Sequence, residues 1–423
     1  MSEISADWVL PVAGPPVRDG LVRFRDGRIV EVTTGQAERH HADAVIFPGF
    51  VNAHSHLEYS VYAGFGDGEA FGPWLRTHML RKRALTTEAM LDIARRGAWD
   101  SLASGITTTA DYSFSGAAAT AAAETGLRAI VYLEVFAQLP ADAERQFSEK
   151  RAGVDESELV RIGISPHAPY TCSADVYAWC LSLGIPVGTH LSESASENSW
   201  LVDGSGPLGA LSSLLVPPTG KRAVGTLAEV LGPDLLCAHC VDLLPDEIAL
   251  LAGRNVPVAH CPRSNALLGC GIAPLQELRA AGVTVGLGTD SPASTPSFDM
   301  FDEARTAITA ARARERRPDA LLAGEALQLA TLDAARALRL DAQVGTLEPG
   351  KRADLAVVSL AGSPYHPVED PAAAVVYGGS PERVLETIVD GITRYRSEDP
   401  GPKWLEARST ASAARATMLA AQP

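Results

Sequence analysis

Short apolar runs alternate with amphipathic patterns through the middle of the chain, and each run is bounded by turn residues or by a polar side chain. The predicted strands are residues 50–56, 106–112, 128–136, 161–165, 187–191, 235–241, 256–260 and 283–289. Strands that alternate with helices favour a parallel sheet with crossover helices. Eight such units are the number in a closed (β/α)₈, TIM-like barrel of the α/β class. An open doubly wound sheet is the competing arrangement, although no G-x-G-x-x-G follows an early strand.

The segment between the first two predicted strands illustrates the helical pattern. In residues 88–103, a spacing of three and four places Leu91, Ala94, Ala98 and Leu102 on one face. We therefore expect a helix that buries this face against the sheet.

The two ends of the chain have a different pattern, with alternating apolar residues and Asp-Gly turns. We expect residues 1–47 and 345–400 to pair into one small β-sandwich domain, with the barrel formed by residues 48–344. The Ala-rich residues 401–423 predict a C-terminal helical tail. Residues 192–220 are rich in Pro, Gly and Ser, which predicts a long loop over the barrel mouth.

Charge and composition narrow the functional classes. A net charge of -15 opposes binding to a phosphate backbone, so we expect no nucleic-acid partner. No stretch reaches the roughly 18 apolar residues of a membrane helix, and the N-terminus lacks the pattern of a signal peptide, so we expect a cytoplasmic protein with no membrane partner. Cys237 and Cys240 have the C-x-x-C spacing of a zinc ribbon, but residues three apart on a strand face opposite sides, which favours buried thiols.

Residues able to bind a metal stand where the predicted strands end. They are His54 and His56, His167, His190 with Glu193, His239, and Asp290. The carboxyl ends of barrel strands meet at one face, where the chemistry of such folds is found. Three imidazoles with one carboxylate suit Zn²⁺, or Fe²⁺, and leave a coordination position for water. Alternatively, each histidine is a hydrogen-bonded structural residue and Asp290 caps a turn.

Several motifs extend this pattern. They are Pro48-Gly49-Phe50-Val51-Asn52-Ala53-His54-Ser55-His56, Pro166-His167-Ala168-Pro169-Tyr170-Thr171, His190-Leu191-Ser192-Glu193, Ala238-His239-Cys240, Cys261-Pro262-Arg263-Ser264-Asn265 and Gly288-Thr289-Asp290-Ser291. On these residues the chain resembles the amidohydrolase superfamily, in its cytosine/adenosine-type deaminase and chlorohydrolase branch, over nearly its whole length.

The resemblance implies one zinc ion per chain, with Fe²⁺ as the alternative metal. Its ligands would be His54, His56, His190 and Asp290. Glu193 would carry a proton to a ring nitrogen of the substrate, His239 would polarise the attacking water, and Asp290 would receive the proton of that water. Other branches hold two metals with a carbamylated lysine after the fourth strand, and no lysine of this chain lies there. Homodimers are common in this superfamily, which makes a homodimer the assembly that the resemblance suggests.

The implied reaction is hydrolytic deamination of a 6-aminopurine nucleoside with release of ammonia. The variant His54-Ser55-His56-Leu57-Glu58-Tyr59-Ser60 looks most like deaminases of 6-amino-6-deoxyfutalosine in menaquinone biosynthesis. S-adenosylhomocysteine, methylthioadenosine and adenosine are the alternative nucleosides. Guanine deamination, dechlorination and a metal-free scaffold are further alternatives.

Several residues are candidates for substrate contact, and most of them also have a structural interpretation. Glu58 would accept hydrogen bonds from ribose hydroxyls, or orient a ligand histidine instead. His167 and Glu193 would contact the purine by resemblance, unless they are a structural histidine and a solvated carboxylate. Arg263, or the Arg81 and Arg83 pair, would bind a carboxylate on the substrate, and the structural alternative for Arg81 and Arg83 is a solvated surface position.

Overall fold

Two β-sheets are formed within residues 1–420, the part of the chain that the computed structural model describes. The strands are β1 (Ser2–Val9), β2 (Val17–Arg25), β3 (Arg28–Thr34), β4 (His40–Pro48), β5 (Phe50–Ser55), β6 (Ile106–Ser113), β7 (Arg128–Val135), β8 (Val160–Pro166), β9 (Val187–Leu191), β10 (Leu235–His239), β11 (Val258–His260), β12 (Val285–Leu287), β13 (Leu355–Ser359), β14 (Val384–Val389) and β15 (Ile392–Arg396).

Fifteen α-helices connect and cover these strands within the described range. They are α1 (Phe71–Lys82), α2 (Thr87–Ala103), α3 (Ala117–Thr125), α4 (Pro140–Arg151), α5 (Ala174–Ser182), α6 (Ala195–Asp203), α7 (Ala223–Thr226), α8 (Pro245–Gly253), α9 (Pro262–Leu267), α10 (Leu275–Ala280), α11 (Met300–Glu315), α12 (Ala323–Leu329), α13 (Leu332–Ala337), α14 (Pro371–Gly378) and α15 (Pro402–Ala420). Within residues 1–420, no helix has the length and apolar character needed to cross a membrane.

Strands β5 to β12 form the predicted barrel, in sequential order and parallel. The first and last strands meet where Ser55 forms a parallel bridge with Asp290 and the Asp290 amide donates to the His54 carbonyl at 2.9 Å. Gly288 permits this approach, because a Cβ there would lie 2.7 Å from the Cβ of His54. The barrel prediction is confirmed, and the open doubly wound alternative is wrong.

Side chains alternate along the barrel strands. In β7, Val131 and Leu133 belong to the large apolar cluster that includes the surrounding helices, whereas Ile130 and Tyr132 pack with residues of β6, β10 and β11. The second set therefore fills the barrel interior. Continuing this alternation places Glu134 on the interior side, at the carboxyl end of the strand.

The chain ends form a separate seven-stranded sheet, in the order β15-β14-β13-β4-β1-β2-β3. Strand β13 pairs antiparallel with β4, with Leu355 opposite Pro48, so the pairing of the two ends is confirmed. The predicted helical tail is present as α15, and the last three residues of that prediction, 421–423, lie outside the described residues.

One organisational prediction is wrong. Residues 192–220 were expected to be a loop, yet they contain α6 and a 3-10 helix, Pro207–Leu214. Ser194 caps α6 by accepting a hydrogen bond from the Glu197 amide at 3.3 Å. The Ser-x-x-Glu spacing is the sequence signal for such a helix start, and the Pro, Gly and Ser content obscured it.

Candidate metal centre

Four side chains from three barrel strands converge at the carboxyl face of the barrel. His54 and His56 lie at the end of β5 and on the residue after it, His190 lies in β9, and Asp290 follows β12. The Nε2 atoms of His56 and His190 are 3.3 Å apart, and Asp290 Oδ1 lies 3.5 Å from Nε2 of both His54 and His56. All four side chains are buried. The structure therefore brings together the four residues predicted as metal ligands.

Hydrogen bonds outside the cluster orient the ligand atoms towards its centre. Nδ1 of His56 lies 2.8 Å from the Tyr112 carbonyl oxygen, and Nδ1 of His190 lies 2.8 Å from that of His167. A carbonyl can only accept, so each Nδ1 donates and each Nε2 presents a lone pair inward. The Oδ2 atom of Asp290 accepts from two serine hydroxyls, those of Ser264 and Ser294, which leaves Oδ1 facing the imidazoles.

The donor set fits a divalent metal. Neither ring nitrogen of His54 has a hydrogen-bond partner in residues 1–420, although the side chain is fully buried. A buried imidazole without partners is costly, and a cation among three imidazoles and a carboxylate would satisfy it.

The protonation states also suit a cation. Burial lowers the pKa of His56 to about 3, which keeps its imidazole neutral. Burial opposes ionisation of Asp290, but the neighbouring His54 outweighs it and holds the pKa of this carboxyl well below its usual range. Neutral imidazoles and an ionised carboxylate are the forms that bind metal.

Glu193 lies beside this centre because the chain turns immediately after β9. Ser192 has a positive φ of 49°, and the Ser192 and Glu193 amides donate to the carboxylate of Glu197 at 3.0 and 2.8 Å. Burial, and then the charge of Asp290, raises the pKa of Glu193 well above its usual range. Its carboxyl is therefore placed and biased to hold a proton.

His239 faces the same centre from the end of β10. Its Nδ1 lies 3.0 Å from Oδ1 of Asn265, and its Nε2 is buried, has no hydrogen-bond partner in the described chain and lies 3.8 Å from the Glu193 carboxylate. One nitrogen of His239 lies within 4.8 Å of ligand atoms of both His54 and Asp290. Both His239 and Asp290 have positive φ, at 74° and 57°, and such strained backbone is typical of functional sites.

The predicted substrate residues occupy different surroundings. His167 is half-buried, and its ring centroid lies 4.8 Å from that of His190. Glu58 is turned towards the loop after β6, where its carboxylate accepts from the Ser113 hydroxyl and, at 3.0 Å, from the Ser115 amide.

Arg263 is engaged away from the metal ligands. Its guanidinium donates to the carboxylate of Glu303, in the first turn of α11, and at 2.7 Å to the carbonyl oxygen of Ser297, which precedes this helix. The structure does not bring it to the metal centre.

Glu134 borders the centre although its position was not singled out in the sequence. Its side chain is 2% exposed, and one of its oxygens lies within 4.8 Å of ring nitrogens of His167 and His190. Its carboxylate receives no hydrogen bond from residues 1–420, whereas its backbone carbonyl oxygen accepts one from Lys150. Burial raises the pKa of the Glu134 carboxyl to about 7. The sequence signal that could have identified Glu134 was a single carboxylate at the carboxyl end of an apolar strand.

Comparison with known proteins identifies related sequences and structures. The sequence profile of the amidohydrolase family matches residues 45–393. A 5-methylthioadenosine/S-adenosylhomocysteine deaminase of Moorella thermoacetica is 34% identical over 90% of this chain and 91% of its own. A 5'-deoxyadenosine deaminase of Methanothermobacter thermautotrophicus is 32% identical over 92% and 91%. The zinc-bound crystal structure of an adenosine deaminase from Xanthomonas campestris superimposes with a TM-score of 0.83 at 27% identity, covering 98% of both chains.

Proposed function

The chain belongs to the amidohydrolase family, and from this premise we propose that it is a metal-dependent hydrolytic deaminase of 6-aminopurine nucleosides modified at the 5′ position. The observation that carries the proposal is the convergence of three imidazoles, the Asp290 carboxylate and the buried Glu193 carboxyl at one end of a barrel.

One divalent metal, zinc or alternatively iron, would be held by four residues: His54, His56, His190 and Asp290. When bound, such a metal lowers the pKa of water towards neutrality and so supplies a nucleophile.

Three residues would handle protons during the reaction. Asp290 accepts the proton of the attacking water, and His239, with its Nε2 unpartnered, accepts a hydrogen bond from that water. Glu193 donates its proton to the purine ring nitrogen next to C6, which the raised pKa of this carboxyl supports. The oxygen of water replaces the amino group at C6, and the amine leaves as ammonia after it is protonated.

Glu134 is the better candidate for the ribose hydroxyls. The oxygens of Glu58 already receive protein hydrogen bonds, whereas the carboxylate of Glu134, on a side chain that is 2% exposed, receives none from residues 1–420. A buried acceptor without a donor gains most from a substrate hydroxyl. His167, next to Glu134 and His190, would contact the purine.

The relatives favour methylthioadenosine, S-adenosylhomocysteine and 5′-deoxyadenosine as the kind of substrate. The Glu58 variant of the first motif favours 6-amino-6-deoxyfutalosine, and with it a place in menaquinone biosynthesis. All these compounds are 6-aminopurine nucleosides with a modified 5′ position, and they differ in the group that the 5′ carbon carries.

Steady-state ammonia release from these nucleosides, adenosine, guanine and a chlorotriazine by zinc-loaded protein tests the proposal. We expect the highest kcat/KM for a 5′-modified adenine nucleoside. Faster turnover of guanine, chloride release from the triazine, or no ammonia from any nucleoside would contradict it. If 6-amino-6-deoxyfutalosine were the poorest nucleoside, the menaquinone assignment would be wrong and the deaminase class would stand.

A further inference from the structure

Helix α9 presents two adjacent side chains to residues of the candidate metal centre. The Ser264 hydroxyl donates to Oδ2 of Asp290 at 2.6 Å, and Oδ1 of Asn265 lies 3.0 Å from Nδ1 of His239. All four side chains are buried. One short helix therefore contacts both Asp290 and His239, the two residues that flank the attacking water in the proposed reaction.

A buried ion pair with α11 fixes the start of α9. The Arg263 amide donates to Oε1 of Glu303 at 2.9 Å, and the Arg263 guanidinium donates to Oε2 of the same carboxylate. The residue before the helix, Cys261, provides no side-chain cap, so the fully buried Glu303 satisfies an amide of the first turn instead. Because a helix of six residues is marginal on its own, this contact holds α9 and its side chains in place.

The side chain of Asn265 has a single hydrogen bond among residues 1–420, the one to His239. Its Nδ2 atom is buried and has no partner there. Its backbone is held separately, because the Asn265 amide donates to the Cys261 carbonyl oxygen at 3.0 Å and its carbonyl oxygen accepts from the Cys270 amide at 2.9 Å. A substitution of Asn265 therefore removes the contact with His239 without removing another hydrogen bond.

The partner of Nδ1 decides which ring nitrogen of His239 carries the proton. The side chain of His239 is 1% exposed, and burial favours the neutral imidazole, which has one N–H. An amide oxygen can only accept, so opposite Oδ1 of Asn265 the proton lies on Nδ1 and Nε2 keeps its lone pair. Without an acceptor at this place, the proton would be free to occupy Nε2.

Only one of the two tautomers suits the proposed reaction. Nε2 of His239 lies 3.8 Å from the Glu193 carboxylate and has no hydrogen-bond partner in the described chain. One nitrogen of the same ring lies within 4.8 Å of ligand atoms of His54 and Asp290. A lone pair on Nε2 can accept a hydrogen bond from the attacking water, whereas an N–H on this atom cannot.

We propose that Asn265 is a positioning residue, which holds the proton of His239 on Nδ1 and so directs the lone pair of Nε2 into the metal centre. The inference rests on the proposed function for the use of that lone pair. It also assigns a role to each polar residue of the motif in α9. Arg263 anchors the helix, Ser264 orients Asp290, and Asn265 sets the tautomer of His239.

Nitrogen NMR of the imidazole rings tests the tautomer without a substrate. Protein with ¹⁵N-labelled histidine, metal-free and zinc-loaded, is compared with its Asn265→Leu and Asn265→Asp variants, and a His239→Gln variant identifies the signals of His239. We expect the proton on Nδ1 in the unsubstituted protein and in Asn265→Asp, whose carboxylate also accepts. In Asn265→Leu, which is similar in size but has no acceptor, we expect the form protonated on Nε2 to appear.

Kinetics with 5′-deoxyadenosine test the consequence for the reaction. We expect Asn265→Leu to lower kcat by at least about tenfold and to change KM by less than about threefold, because the lone pair acts in the transition state. Asn265→Asp should restore kcat to within about threefold of the unsubstituted protein. Asn255→Asp, at an exposed position, is the matched control for the added charge.

Three results would overturn the inference: a proton on Nε2 of His239 in the unsubstituted protein, an unchanged tautomer in Asn265→Leu, or a kcat of Asn265→Leu within a few-fold of the control. A tautomer that depends on Asn265 supports the inference even if no nucleoside is deaminated, and the proposed function then fails alone. Should Asn265→Leu not fold, the tautomers of the unsubstituted protein and of Asn265→Asp decide the question.

Discussion

Individual side chains at the candidate metal centre are set by hydrogen bonds from outside it. Backbone carbonyls fix the tautomers of His56 and His190, and serine hydroxyls fix one oxygen of Asp290. In the proposed reaction Glu193 and His239 act on protons without holding the ion, and their side chains lie 3.8 Å apart.

Replacing the proton donor should abolish most of the activity. Glu193→Gln keeps the size and neutrality of the protonated side chain but cannot give up a proton, so we expect kcat/KM to fall by at least about 100-fold. Metal content and the thermal unfolding midpoint should not change. The exposed Glu229→Gln is the matched control. Activity of Glu193→Gln within a few-fold of the control would exclude this carboxyl as the proton donor.

Glu134 and Glu58 should differ in their effects on sugar recognition. Adenosine and 2′,3′-dideoxyadenosine differ only in the two hydroxyls, and we expect Glu134→Gln to reduce the preference for adenosine by about tenfold or more, because the amide accepts fewer hydrogen bonds. Glu58→Gln should instead lower the thermal unfolding midpoint, since it disrupts the bonds from Ser113 and Ser115.

The ratio of kcat/KM for the two nucleosides measures this difference. If Glu58→Gln removed the preference and Glu134→Gln did not, the original sequence prediction for Glu58 would be right.

The sequence allowed prediction of residues whose role follows from their position in a strand. It did not allow prediction of side chains whose hydrogen-bond partner is distant along the chain. His54, His56, His190 and Asp290 were among the candidates because barrel strands deliver their ends to one face, and the resemblance to the amidohydrolase superfamily selected these four as ligands. Arg263 looked available to a ligand, yet its partner is Glu303, forty residues later. Such a pairing depends on helix packing, which local patterns do not encode.

At the scale of elements, helix α6 positions the turn that carries Glu193. Glu197, in its first turn, accepts from the Ser192 and Glu193 amides. Glu197 thereby links the start of α6 to the end of β9. The segment that was predicted to be a loop therefore holds the turn that carries Glu193 in place. The strand positions could be predicted because strands that are buried on both faces appear in the sequence as continuous apolar runs. The start of α6, in contrast, is marked only by one capping motif within a polar segment.

Titration of Glu197 should affect stability. Burial raises its pKa to about 8, so the folded state retains the proton to a higher pH than the unfolded state. Its contribution to stability is then complete below the usual carboxyl pKa of about 4.5 and is lost as pH rises through about 8. We expect the unfolding midpoint to decline, relative to that of Glu197→Gln, between about pH 4.5 and pH 8, and to level off above about pH 8.

Thermal melts across this range, with Glu229→Gln as the control, provide the test. A difference between Glu197→Gln and the unsubstituted protein that is the same at every pH would show that Glu197 does not titrate there.

On the scale of the whole molecule, a buried ion pair joins the two sheets. Arg128, at the start of β7, donates to the Asp354 carboxylate at 2.9 and 3.1 Å, just before β13. Both residues are buried, and the Asp390 amide donates to the same carboxylate at 2.7 Å. The sequence predicted two sheets but not this link, because its residues are separated by more than 200 positions.

Breaking this pair should destabilise the protein strongly. Arg128→Met leaves the buried Asp354 carboxylate without its cation, and we expect a loss of about 3–5 kcal/mol in the free energy of unfolding, measured by denaturant titration. Arg95→Met removes a more exposed pair with Glu124, and should cost about 1 kcal/mol or less. Similar losses for the two variants would contradict a special role for the buried pair.

The proposed reaction depends most on one metal ion acting at the four converging ligands. Its most direct test is to remove metal with a chelator, add back zinc in known amounts and follow ammonia release from 5′-deoxyadenosine. We predict that activity rises in proportion to zinc and stops rising at one equivalent per chain, and that His190→Ala shows no such rise. Full activity after chelation, or a rise that continues to two equivalents, would contradict it.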